Sequence, residues 1–219
     1  MQNLKQQVIN QIKEQGVIAI IRGVKSQDFA PLLSALNDGG VKVAEVTFGA
    51  QSDEQTFDLI KEAVSNAKPD QFIGAGTVTC LQRAKIALDA GAKFIVSPNV
   101  DVEVIKFCNE NGLCIVSGAL TPTEIFLAHN SGADFVKVFP ANVFGPQYFK
   151  TIKSPLGNIP LLAFAGVTCE NIGDYVKAGA VGAGIGSELV NLKAIRSGDF
   201  EYVKNKAKQF ITCVQNAKN

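Results

Sequence analysis

Residues 130–138 read "NSGADFVKV". Two polar residues precede a glycine, a small residue follows it, and an apolar run begins. Gly132 stands where a helix should stop, because the residue beyond a helix C-cap commonly takes a left-handed conformation. The run that starts at Phe135 then reads as a β-strand. The same unit recurs as "NDGGVKVAEV" (37–46), "DAGAKFIVS" (89–97), "ENGLCIVSG" (110–118) and "KAGAVGAGI" (177–185), with Gly40, Gly91, Gly112 and Gly179 at the stop position. A helix–stop–strand unit repeated in this way marks an alternating α/β fold.

Working outward from these units gives eight strands, at 17–22, 41–47, 72–75, 94–97, 113–116, 135–139, 161–164 and 181–185. Most are short continuous apolar runs, the pattern of parallel strands covered on both faces. Helical patterns lie between them, beginning at Ser26, Ser52, Thr79, Asp101, Thr121, Gly145 and Thr168, and a closing helix is expected over 200–216. Ser52, Thr121 and Thr168 read as N-caps, followed by Asp53 and Glu54, by Glu124 and by Glu170. Residues 1–15 read as an amphipathic N-terminal helix. No Pro/Ser-rich linker divides the chain, so residues 1–219 are expected to form one single-domain (β/α)8 TIM barrel. A doubly wound open sheet is the alternative. It requires a glycine-rich fingerprint after the first strand, where this chain has "IRGVKSQDF".

Composition narrows the function. Apolar residues make up 47% of the chain, enough for a sizeable core, yet the longest apolar run, "GVIAII", is far too short to span a bilayer. The N-terminal segment lacks the apolar core of a signal peptide, so a cytoplasmic protein is expected. A net charge of +1 with no basic run argues against nucleic acid and membrane surfaces as partners. Five cysteines without CxxC spacing suggest free thiols in a reducing compartment. The one histidine, His129, lies near a helix end and reads as structural, which argues against a His-rich metal site or a Ser-His-Asp triad.

Barrel enzymes carry their chemistry at the C-terminal ends of the strands. Those ends hold Arg22, Glu45 and Thr47, Thr77, Ser97 and Pro98, Lys137, the "AGVT" turn (165–168) and the "GIGS" turn (184–187). Alternation puts Phe135, Lys137 and Phe139 on one face of their strand and Val136 and Val138 on the other. The β-branched pair suits the outer helices, so Lys137 should point into the barrel, as should Glu45 and Thr47. A desolvated lysine has a lowered pKa, and its neutral amine attacks ketones to form a Schiff base. That chemistry needs an acid/base, and Glu45 is the carboxyl on the same rim. A structural ion pair between Lys137 and Glu45 is the competing reading. Backbone N–H groups in the turns after the seventh and eighth strands, with the Ser187 hydroxyl, are candidates for holding a phosphate. Tight helix–strand packing is the competing reading there.

At these residues the chain resembles a known family. "GVKVAEVTF" and "GADFVKVFPANVFG" are similar to the two motifs of the class I aldolases acting on 2-keto-3-deoxy-6-phosphogluconate and 4-hydroxy-2-oxoglutarate, and the similarity runs over nearly the whole chain. "IAIIRG", "FGPQY" and "GVTCEN" look most like the 6-phosphogalactonate branch. The resemblance implies Lys137 as the Schiff-base lysine and Glu45 as the acid/base. It implies a substrate-binding set of Arg22, Thr47, Thr77, Pro98, Phe139, Gly166 and Ser187. It implies reversible cleavage of a 2-keto-3-deoxy acid to pyruvate and an aldehyde, no metal and no cofactor, and a homotrimer.

Two departures are visible. Many members carry arginine where this chain has Gly49, and many carry "TGG" where it has Phe164, Ala165 and Gly166. Arg22 is placed to supply the missing guanidinium. Whether the substrate is phosphorylated stays open. So do a phosphate-binding barrel isomerase or epimerase that uses Glu45 without an imine, and a non-catalytic barrel that binds keto acids.

Overall fold

The structure is a computed structural model that describes residues 4–49 and 51–219. Its chain order is α1 (Leu4–Gln15), β1 (Val17–Ile21), α2 (Phe29–Asp38), β2 (Val43–Thr47), α3 (Asp53–Asn66), β3 (Phe72–Gly76), α4 (Leu81–Asp89), β4 (Phe94–Val96), α5 (Val102–Glu110), β5 (Cys114–Ala119), α6 (Pro122–Asn130), β6 (Phe135–Val138), α7 (Gly145–Lys153), β7 (Leu161–Phe164), α8 (Ile172–Lys177), β8 (Ala180–Ile185), α9 (Leu192–Arg196) and α10 (Phe200–Lys218). The strands pair in parallel, each with its sequence neighbour, and β8 returns to β1. This is the expected (β/α)8 barrel, and it excludes the open doubly wound sheet.

The repeated glycine units explain why helices end and strands begin where they do. The five stop glycines have φ between 66° and 101°. At four of them the next residue donates its N–H to the carbonyl five positions back: Val41 to Leu36, Ala92 to Ala87, Leu113 to Cys108 and Ala133 to Ala128. That bond closes the helix end. It also takes Val41 and Leu113 out of the strands expected from their apolar character, so β2 begins at Val43 and β5 at Cys114.

Other differences are equally local. Thr121 and Glu124 form the expected reciprocal cap, whereas Ser52 closes its own with Gln55 rather than with Asp53 or Glu54. Thr168 caps nothing. Its N–H is bound by the Asn171 Oδ1 at 2.9 Å, the segment makes a turn, and α8 starts only at Ile172. The five-residue α9 was not expected, because one turn and a half carries no periodic pattern. The first three residues of the expected N-terminal helix lie outside the described residues.

Two apolar layers follow from strand alternation. Val136 and Val138 face the outer helices, while Phe135 and Leu162 face the barrel axis with Ile18, Val43, Phe94 and Phe164. Val8 and Ile12 of α1 join this interior layer and are fully buried. Helix α1 therefore plugs the N-terminal end of the barrel. Two interior rings are each matched to a glycine on a neighbouring strand, Phe94 to Gly74 and Phe164 to Gly184, where a Cβ would overlap the ring. Large-against-small matching of this kind is how a small barrel fills its centre.

Replacing Ile12 by alanine tests the plug. The expected loss is about 2–5 kcal/mol, measured by urea unfolding. A loss under about 0.5 kcal/mol, the size of an ordinary surface substitution, would show that α1 is not part of the core.

Candidate active site

Glu45 lies in the middle of β2, paired in register with Ile20 of β1 and Gly74 of β3. Its carboxyl points to the axis and is 2% exposed. Gly76 makes room for it, since a Cβ there would stand 2.6 Å from the carboxyl carbon. Lys137 lies in β6 opposite Gly118 and Leu162, and is 7% exposed. Both long side chains reach into the barrel interior and line one cavity.

Burial dominates the electrostatics. Desolvation pushes the Glu45 carboxyl up from 4.5 to about 7, against the opposing pull of Lys137 and Arg22. Desolvation likewise holds the Lys137 amine below its usual range, against Glu45 and reinforced by Arg22. The expected alternative of a direct ion pair is not what the structure contains. The five ion pairs among the described residues lie elsewhere, and the buried Oε2 of Glu45 has no hydrogen-bond partner. Lys137 instead places its Nζ over two aromatic rings, 4.5 Å from the centre of Phe164 and 4.9 Å from that of Phe139.

These groups open into a cavity of about 570 Å³ at the C-terminal end of the barrel. Of the residues expected from the sequence, Arg22, Glu45, Thr77, Lys137, Phe139, Gly166 and Ser187 line it together. Two stand back. Thr47 is 2% exposed and sits behind Arg22, accepting a hydrogen bond from its Nε at 3.2 Å and donating to the Ile21 carbonyl at 3.4 Å. This neutral anchor holds the guanidinium without cancelling its charge. Pro98 does not line the cavity; its backbone packs over Gly118, which has no Cβ to obstruct it.

Thr77 takes an unusual φ of 58°, and the Arg83 Nη1 donates to its carbonyl at 3.4 Å. Arg83 is in turn held by Asp53, 3.0 Å away, and stacks over Phe48. The turn after β7 carries two successive left-handed residues, Ala165 at 81° and Gly166 at 68°. An alanine held there costs on the order of 1–2 kcal/mol, so the turn is imposed by its surroundings.

Sequence reasoning missed Ile20, Glu188, Val190 and Leu192, which also line the cavity. Alternation from Arg22 back along β1 would have found Ile20. Glu188 and Val190 lie in the loop after β8 and Leu192 opens the short α9, where no periodicity reports direction. His129 sits at the end of α6 as expected, though its buried Nδ1 has no hydrogen-bond partner.

Comparison with known proteins agrees with this geometry. Residues 8–206 match the family model for KDPG and KHG aldolase. The 2-dehydro-3-deoxy-6-phosphogalactonate aldolase of Escherichia coli K12 is 36% identical over 79% of this chain and 83% of the relative. The 2-dehydro-3-deoxy-phosphogluconate aldolase of Haemophilus influenzae is 28% identical over 96% of this chain and 98% of the relative. A solved structure described as native KDPGal superposes with a TM-score of 0.82 at 32% identity, covering 92% of this chain and 95% of that one.

The raised carboxyl gives a testable pH dependence. Folding moves Glu45 from 4.5 to about 7, so between these values the folded protein binds more protons than the unfolded chain. Stability therefore falls as pH rises through that window. The fall amounts to roughly 3 kcal/mol, since one pKa unit is about 1.4 kcal/mol. Glu45→Gln stays neutral and should flatten this part of the profile. Urea midpoints for both proteins between about pH 5 and pH 8 measure it; parallel profiles would refute it.

Proposed function

The chain belongs to the KDPG and KHG aldolase family, and from that membership we propose a class I aldolase in which Lys137 forms the imine and Glu45 moves the protons. The observation that carries the reading is the pair itself: a desolvated amine and a carboxyl with a pKa of about 7, facing one cavity. The named relatives are aldolases, which favours carbon–carbon lyase chemistry over the isomerase and non-catalytic readings.

The neutral Lys137 amine adds to the C2 ketone of a 2-keto-3-deoxy acid. The protonated Glu45 carboxyl gives its proton to the C2 hydroxyl of the adduct, which leaves as water; a protonated imine remains and Glu45 is left as carboxylate. Glu45, as carboxylate, takes the proton of the C4 hydroxyl. The C3–C4 bond then breaks, its electron pair flowing toward the imine nitrogen, and the aldehyde departs. Glu45, now protonated, returns the proton to C3 of the enamine. Water releases pyruvate and regenerates the amine. A carboxyl that titrates near neutrality is suited to both proton steps.

The substrates we assign are 2-keto-3-deoxy-6-phosphogluconate, its galactonate epimer and 4-hydroxy-2-oxoglutarate, giving pyruvate with glyceraldehyde 3-phosphate or glyoxylate. Arg22 and Thr77 take the anionic groups nearest the imine. Gly166 and Ser187 face the far end, where a phosphate would lie. We assign a homotrimer, supported by an exposed apolar surface of Phe126 and Leu127 on α6 with Val143 and Phe144 before α7. Large exposed apolar side chains of this kind suit a subunit interface. The cytoplasm suits the five free thiols. No helix among the described residues is long and apolar enough to cross a membrane.

Borohydride reduction in the presence of pyruvate tests the mechanism. A stable mass increase is expected on Lys137 and is absent in Lys137→Ala; a wild-type protein without an adduct sinks the reading. Glu45→Gln should slow hydrogen exchange at the pyruvate methyl group by about 10²-fold or more, and an unchanged rate would remove Glu45 from the mechanism. Turnover of matched 2-keto-3-deoxy acids with and without the terminal phosphate identifies the substrate.

A further inference from the structure

The ring of Phe164 has no part in the proton transfers, yet the fold is arranged to hold it against the reacting nitrogen. It closes β7, is 1% exposed, and presents its face to the Lys137 Nζ at 4.5 Å. Its register partner on β8 is Gly184, where a Cβ would overlap the Cδ1, Cε1 and Cζ of the ring. Two neighbouring strands are therefore matched so that an aromatic ring, and not merely an apolar side chain, fits beside the amine. Phe139 flanks the same nitrogen at 4.9 Å from the cavity mouth, where it is 40% exposed.

The chemistry at that nitrogen creates a cation in a place hostile to charge. When the Nζ–C2 bond forms and the C2 oxygen leaves as water, the nitrogen keeps one hydrogen and a positive charge. The site is desolvated, and the Arg22 guanidinium adds a second positive charge to the same space. Glu45 is the nearby carboxyl, but burial pushes it up to about 7, so it is a counter-charge that protonation readily removes. The negative face of an aromatic ring attracts a cation without titrating, and the attraction strengthens when water is excluded. Once the C3–C4 bond breaks, the nitrogen becomes a neutral enamine and the attraction is lost. The ring therefore acts selectively on the charged intermediate.

We propose that Phe164 is a catalytic residue whose ring face stabilises the positively charged imine on Lys137, a role that rests on the imine mechanism above. Phe139 contributes to the same effect from the more exposed side.

Fluorinated phenylalanines placed at position 164 alone test this, because they keep the shape of the ring while withdrawing electron density from its face. The readout is the pyruvate concentration that half-saturates trapping of Lys137 by cyanoborohydride. It should rise stepwise with each added fluorine, by about tenfold across the series, with Phe164→Leu at the weak-binding end. A flat fluorine series with a normal Lys137 adduct overturns the role of the ring and leaves the imine mechanism standing. A wild-type protein that gives no adduct overturns both.

Discussion

The desolvation of one amine and one carboxyl at the mouth of the barrel is the constraint on which the rest of this structure depends. Neither group would hold an altered pKa at a solvated surface. Lys137 and Glu45 are 7% and 2% exposed, and burial is the largest influence on each. Burial lowers the amine and raises the carboxyl, so the two approach neutrality from opposite sides. That convergence makes a nucleophile and a proton carrier available at the same pH. A direct ion pair would have undone it by favouring both charged forms. The structure keeps the groups in one cavity without such a bond.

Much of the fold serves to keep that centre dry. Helix α1 fills the N-terminal end with Val8 and Ile12, below the rings of Phe94 and Phe135. Gly74, Gly76, Gly118 and Gly184 concede space where an interior side chain or backbone must pass. The interior is thus a packed stack that opens only upward. The same packing sets the positions of Glu45 and Lys137, because each emerges from a strand fixed on both sides by parallel register.

The turn after β7 departs from the pattern expected from the family resemblance: Phe164 brings a ring to it, and Ala165 accepts a left-handed backbone that a glycine would take without strain. Both residues line the cavity, and Gly184 makes room for the ring. Arg22, anchored by the hidden Thr47, offers a guanidinium at the end of β1, while Gly49 has no neighbour among the described residues within 4 Å of its Cβ position. The strands that carry Glu45 and Lys137 hold the two motifs by which the chain resembles its family, whereas Gly49 and the turn after β7 depart from the expected pattern.

The sequence by itself determined the order of the strands and of every helix except α9, the inward direction of Lys137 and Glu45, and the family. It could do so because glycine stops are local, because strand alternation reports direction at a period of two, and because the two motifs carry several residues each. It misjudged Val41, Leu113 and Thr168, where apolar character and capping potential were overridden by particular helix-end and turn hydrogen bonds. Tertiary structure alone decided that Thr47 supports Arg22 and that Pro98 stands clear of the cavity. It also brought Glu188, Val190 and Leu192 to the cavity wall and laid the Phe164 ring over the amine. Each of these depends on distances between segments far apart in the chain, set by barrel closure, and no local pattern encodes them.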